Sequence, residues 1–192
     1  MELEKDFNLA AVLLIAKGRL EEARALLEAV VAERSAGWGP IVELPDEVVI
    51  YCWSPDEFSS YCAAHPGKNV GWVLGSYAQA YYWLAHIAAE REPWDEPLDC
   101  IVKGLEIEPD HPYFLCELGY VLGKLGMPAE ALEAYRAGEQ IRPWAPPGQK
   151  ARAVRRQAVN LIDLGRLDEA EIELIRSLQL DPANPVALNE LG

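Results

Sequence analysis

The sequence predicts an all-α chain: a superhelical array of antiparallel helix pairs with one irregular insertion near residues 38–69. Three observations predict it. The phrases LIAKGRLEEARALL, VLGKLGMPAEALEAY and LIDLGRLDEAEIEL each set a glycine five residues before an alanine, at Gly18 and Ala23, Gly126 and Ala131, and Gly165 and Ala170. The phrases KGLEIEP and AGEQIRP end at Pro109 and Pro143, 34 residues apart, and RSLQLDP ends at Pro182, 39 residues further on. Self-similarity at such a period marks stacked supersecondary units. Between these points, apolar residues such as Phe114, Leu115, Leu118, Leu122 and Leu125 recur at helical spacing. A pair of short helices cannot bury its apolar faces alone, so the pairs must stack.

The first pair is expected over residues 4–37. Leu9, Leu13, Leu14 and Ile15 lie on its first helix, Lys17-Gly18-Arg19 forms the turn, and Ala23, Leu26, Leu27 and Val30 lie on the second. The period then lapses. Gly37, Gly39, Pro40 and Pro45 mark loop, and VVIYCW (residues 48–53) is β-branched and aromatic, which suits a short strand or a buried extended segment. Ser54-Pro55-Asp56-Glu57 is a capping box with proline at the first helical position, predicting a short helix to about His65, before Pro66 and Gly67. A long aromatic helix is expected over 70–91, and the second repeat over 78–111 has its second helix near 95–107. Pro97 stands there where alanine would be usual, which a helix tolerates in its first turn.

The clearest unit spans 112–143. Gly119, without a side chain, is expected to admit another backbone, and Gly126 with Pro128 breaks and restarts the helix. The five extra residues before the next repeat, 151–184, fall in the proline-rich stretch 144–149. Pro112, Leu115, Glu117, Leu118 and Gly119 recur as Pro185, Leu188, Glu190, Leu191 and Gly192, a partial repeat over 185–192. All this is expected to form a single domain, 1–192. A natural chain is expected to continue past this half-hairpin.

Within 112–143 the residues resemble the tetratricopeptide repeat (TPR), whose pattern is W-x2-L-G-x2-Y, A-x3-F and P. Leu115 stands for the tryptophan, Leu118-Gly119 is intact, Leu122 replaces the tyrosine, and Ala131, Tyr135 and Pro143 complete the second half. The match is looser elsewhere, with Leu84-Ala85 and Gln157-Ala158 at the Leu-Gly position. The resemblance implies a solenoid whose first helices line a concave groove that holds a peptide. Carried over by position, the groove residues are Gln79, Tyr82, Trp83, His86 and Glu90 in the second repeat. In the third they are Tyr113, Cys116, Glu117, Tyr120 and Lys124. In the fourth they are Arg152, Arg155, Arg156, Val159 and Asp163. Helix packing is the alternative fate of the aromatics, Trp83 above all. The family's clamp for a C-terminal carboxylate needs asparagines that these repeats lack at those positions, so that ligand is not carried over.

Charge narrows the partner. The formal net charge is −14, and residues 38–110 hold 13 acids against 3 bases, which argues against nucleic acid because phosphate binding needs clustered Lys and Arg. Against this background Lys150, Arg152, Arg155 and Arg156 stand within seven residues. Arg152, Arg155 and Arg156 share a helical face, where guanidinium forks can hold carboxylates of a partner or neutralise those of the neighbouring helix. The expected partner is a protein or peptide, gripped by the aromatics and selected for an acidic portion by the arginines; a second copy of the chain is another candidate.

Chemistry is scarce. Cys62 and His65, with Cys52 upstream, have ligand-like spacing but lack the second pair of a tetrahedral site. His86 and His111 stand alone, the latter expected in solvent. Asp95-Glu96 and Asp168-Glu169 begin helices, where they complement the dipole. Neither a phosphate loop nor a hydrolase or zinc-protease motif occurs, so no cofactor and no metal are expected. Cys52, Cys62, Cys100 and Cys116 are expected as free thiols. Glu2, Glu4 and Asp6 replace the basic start of a signal peptide, and the apolar run 9–16 is far shorter than the ~20 residues that span a bilayer. No membrane partner and a cytoplasmic location are expected. The reading is a non-catalytic interaction adaptor or scaffold. The alternatives are a structural, self-associating or targeting module of a larger protein, and an enzyme with its site in 52–65.

Overall fold

The computed structural model describes residues 7–90, 93–140 and 142–191. The chain divides into two compact units, one up to Pro109 and one from Asp110. The first contains α1 (Phe7–Ala16), α2 (Leu20–Ala32), β1 (Ile41–Glu43), β2 (Val48–Cys52), α3 (Pro55–Ala64), β3 (Val70–Leu74), α4 (Tyr77–Ala88) and α5 (Asp95–Ile107). The second contains α6 (Pro112–Lys124), α7 (Pro128–Gln140), α8 (Pro147–Asp163), α9 (Leu167–Leu180) and α10 (Pro185–Leu191). The helical class holds, with a three-stranded sheet added.

Three hairpin turns use one device. Gly18, Gly126 and Gly165 take φ of +71°, +77° and +71°, a left-handed conformation that other residues adopt at a cost. Pro97 lies in the first turn of α5 and is buried there. Asp95-Glu96 and Asp168-Glu169 occupy the first turns of α5 and α9. The proline-rich loop is shorter than expected, since α8 already starts at Pro147; proline's fixed φ suits a first helical turn.

The core of the first unit joins Ala11, Ala23, Leu27, Ala80, Leu84 and Ile87, with Leu14, Ile15, Trp83 and Cys100 packed against it. Leu9 and Leu13, expected on the first helix, lie on α1 and are more than half exposed. The small Ala11 turns inward in their place, letting α1 lie close to its neighbours. Residues 4–6 of the expected first repeat lie outside the described residues.

In the insertion, Ser54 caps α3 by accepting the Glu57 N–H at 3.3 Å, and the Glu57 carboxylate accepts the Trp53 N–H at 2.6 Å. The cap thus satisfies one open donor of the first turn, the Glu57 N–H, and the Glu57 side chain satisfies the N–H of the residue before the cap. VVIYC forms β2. It pairs antiparallel with β1 (Ile41 opposite Ile50) and parallel with β3 (Val48 opposite Val70, Cys52 opposite Leu74), with α3 as the crossover. The long helix expected over 70–91 is thereby corrected: Val70–Leu74 is a strand and the helix begins at Tyr77. VGWVL has the β-branched and aromatic content of a strand. Gly75 turns the chain at φ +87°, and Ser76 starts α4 by accepting the Gln79 N–H at 3.0 Å. The far end expected at Arg91 lies outside the described residues.

One buried carboxylate ties these elements together. Glu108, just past α5, is 1% exposed. It accepts the Trp53 indole N–H at 3.2 Å and the Ser76 hydroxyl at 2.8 Å, so the strand end, the α4 cap and the α5 end meet on one side chain.

In the second unit a single packing pair repeats. An ideal Cβ on Gly119 of α6 would lie 2.5–2.7 Å from Tyr135 ring atoms of α7. The glycine therefore makes room for a ring, not for a backbone as expected. The corresponding residues of the next repeat, Ala158 and Leu174, are buried together with Ala187 of α10. A branched aliphatic leaves room for the methyl group that the tyrosine ring excludes. His111, expected in solvent, is fully buried. Its Nδ1 accepts the Tyr113 N–H at 3.3 Å, and its ring packs on Tyr113 and Phe114. Arg142 is also buried: it holds Asp110 through two hydrogen bonds of 2.6 and 3.1 Å and lies 4.6 Å from the Trp144 ring.

Candidate functional site

The expected groove residues meet different fates. In the first unit, Gln79 is half-buried, with its Oε1 buried and unpartnered. Tyr82 stands edge-on to Trp53 at 5.4 Å and to Trp83 at 5.1 Å, and Trp83 packs on the helical core. His86 is exposed, with its ring 5.9 Å from that of Trp83. These aromatics serve the packing of their own unit.

In the second unit the face built by α6 and α8 remains open. Cys116 is the exception among its expected residues: it is fully buried, and burial pushes its thiol up to about 12. It contributes packing and offers nothing to a ligand. Its two sequence neighbours along the same helix face, Tyr113 and Tyr120, are half-buried, and Lys124 is exposed. On α8, Arg152, Arg155, Arg156 and Val159 are all half-buried.

The four basic groups are not equivalent. Arg152 is ion-paired with Glu117 and lies 4.8 Å from the Tyr113 ring centroid. Arg155 donates to the Ser177 hydroxyl at 3.2 Å and faces Asp181 at 3.8 Å. Burial pulls its guanidinium below the ordinary value, and Asp181 works against that shift. Both arginines thus neutralise acids of adjacent elements, one of the two roles open from the sequence. Arg156 and Lys124 differ. Arg156 lies 5.5 Å and the Lys124 ammonium 5.4 Å from the Tyr120 ring centroid, and among the described residues neither has an acid partner. Two cations therefore lie over one aromatic ring, an arrangement that ring quadrupoles favour and that leaves positive charge available to a ligand.

Sequence reasoning missed Glu108, Arg142 and Asn8. Glu108 reaches Trp53 and Ser76 over separations of 55 and 32 residues, and Arg142 reaches Asp110 over 32; no local pattern signals such pairs. Among the described residues no group of three His, Cys, Asp or Glu side chains is placed to hold a metal. Cys52 is buried, Cys62 is half-buried, and His65 stacks on Tyr61 at 4.1 Å. No helix among the described residues is long and apolar enough to cross a membrane.

Comparison with known proteins agrees with this architecture. The family model for the tetratricopeptide repeat matches residues 112–143 and 156–184. No curated protein matches the sequence. Among solved structures, the first TPR domain of Spaghetti (RPAP3), bound to the HSP90 peptide SRMEEVD, is 24% identical with a TM-score of 0.52, over 59% of this chain and 86% of that one. The type IV pilus biogenesis factor PilW is 17% identical with a TM-score of 0.68, over 100% of this chain and 68% of its own. The N-terminal domain of STI-1 from C. elegans is 18% identical with a TM-score of 0.52, over 59% of this chain and 91% of its own. At these identities the likeness is one of fold. The helix pairs, their glycine turns and the matched segments identify tetratricopeptide repeats over residues 112–143 and 156–184.

Proposed function

We propose that the chain is a non-catalytic interaction adaptor whose second unit holds an acidic protein segment on the face of α6 and α8. The observation that carries this reading is the pair Lys124 and Arg156 around Tyr120, positive and without acid partners among the described residues, in a chain of formal net charge −14. Segment carboxylates that reach these two cations gain charge-assisted contacts, while the Tyr120 and Tyr113 rings take up apolar atoms beside them. The acidic background repels carboxylates elsewhere and so confines them to this face. The RPAP3 domain of similar fold holds a peptide with consecutive acids, SRMEEVD, which supports the choice of ligand class. Arg152 and Arg155 hold the face in shape through Glu117, Ser177 and Asp181.

The test begins with affinity capture, mass spectrometry and reduction of the captured protein to its shortest binding segment. The double variant Lys124→Glu with Arg156→Glu is expected to weaken that segment by about tenfold or more at low salt and to leave the helical signal unchanged. Unchanged affinity at low salt would overturn the reading. A captured second copy of this chain, binding through another face, would overturn it as well.

A further inference from the structure

A cavity of about 370 Å3 opens in the first unit, between the end of α2, the β2–β3 edge and the start of α4. That volume lies in the range of small-molecule sites. Four aromatic residues contribute to its walls: Phe7, Trp38, Tyr51 and Tyr77. Trp38 stands edge-on to Tyr51 at 5.0 Å and to Tyr77 at 4.9 Å, with interplanar angles of 70° and 87°. The rings thus form a corner, not a stack. Among the described residues of the lining, Glu33 is the single charged one. Glu33 also caps the C-terminal end of α2, where the helix dipole adds negative potential. Asn8 completes the wall: it is buried, its Nδ2 donates to the Ser76 carbonyl at 3.2 Å, and its Oδ1 has no partner. An unpaired buried acceptor is costly and marks a place for a donor.

The start of α4, at the same cavity, does not call for an anion. Ser76 already caps Gln79, and its hydroxyl donates to the buried Glu108 carboxylate at 2.8 Å, which offsets that helix end from within the protein. Aromatic side chains, a carboxylate and an unpartnered acceptor, with no base among the described lining residues, together select a positively charged ligand.

We infer that this cavity binds a small organic cation, an alkylammonium group, either as a free molecule or as a methylated lysine side chain of another protein. The aromatic corner takes the alkyl groups by cation–π attraction, and Glu33 supplies the counter-charge at the rim.

The test titrates the whole chain with choline, whose hydroxyl can donate to Asn8, with N-acetyl-dimethyllysine amide, whose ammonium keeps one N–H, and with 3,3-dimethylbutan-1-ol, the uncharged isostere of choline. It is followed by calorimetry and by the indole N–H resonance of Trp38. Both cations are expected to move that resonance at millimolar concentration, with the neutral isostere about tenfold weaker. The tighter of the two cations identifies the source. Glu33→Gln, at an exposed position, is expected to weaken the cations and leave the isostere unchanged, and Trp38→Phe is expected to weaken all three. Equal binding of the isostere overturns the inference, as does an unmoved Trp38 resonance at about 10 mM of either cation.

Discussion

Gly119→Ala is expected to destabilise the second unit by about 2 kcal/mol, although alanine is the better helix former. The new methyl carbon would meet the Tyr135 ring at 2.5–2.7 Å, well inside contact distance, and overpacking of this kind costs roughly 1–3 kcal/mol or more. Removing glycine from a helix interior returns only about 1 kcal/mol. The next repeat shows how the conflict is resolved, because Ala158 packs with Leu174 at the equivalent places. Tyr135→Leu combined with Gly119→Ala is therefore expected to recover most of the loss, giving a coupling energy of about 1–2 kcal/mol in a double-mutant cycle. Denaturant titration of the four proteins measures it. Additive effects would show that the ring and the glycine do not oppose each other.

The largest expected loss in the first unit comes from Glu108→Ala, at about 3 kcal/mol. The carboxylate is 1% exposed and accepts from both the Trp53 indole and the Ser76 hydroxyl. Truncation removes both bonds and leaves a cavity, at roughly 1–3 kcal/mol for a buried group that loses its partner. Glu108→Gln keeps an oxygen where Oε1 stands and is expected to cost about half as much. Thermal unfolding followed by near-ultraviolet circular dichroism reads the change, since Trp53 is part of the network. Equal stability of Glu108→Ala and the parent would show that the carboxylate binds nothing of consequence.

Local rules carried far where contacts are local. The Gly18, Gly126 and Gly165 turns and the α9 bounds could be read directly because the glycine, the capping acids and the apolar period all lie within one hairpin. The sheet was less legible. β2 and β3 pair across an intervening helix, and an aromatic run such as VGWVL fits either a strand or a helix until its partner is known. Leu9 and Leu13 show the same limit: hydrophobicity alone does not say which side of α1 faces the core. At the site, spacing correctly placed Arg152, Arg155 and Arg156 on one helix. It could not show that Glu117 and Asp181 reach the first two, since those acids come from other elements. Cys116 failed as a surface residue because one step around α6 separates the open face from the interior.

The most direct test of the central claim is a nuclear magnetic resonance titration of the labelled chain with the captured acidic segment. Shifts centred on Tyr120, Lys124 and Arg156, fading as salt is added, are the predicted result. Shifts confined to α7 and α9 or to the first unit, with those three residues unmoved, would contradict it.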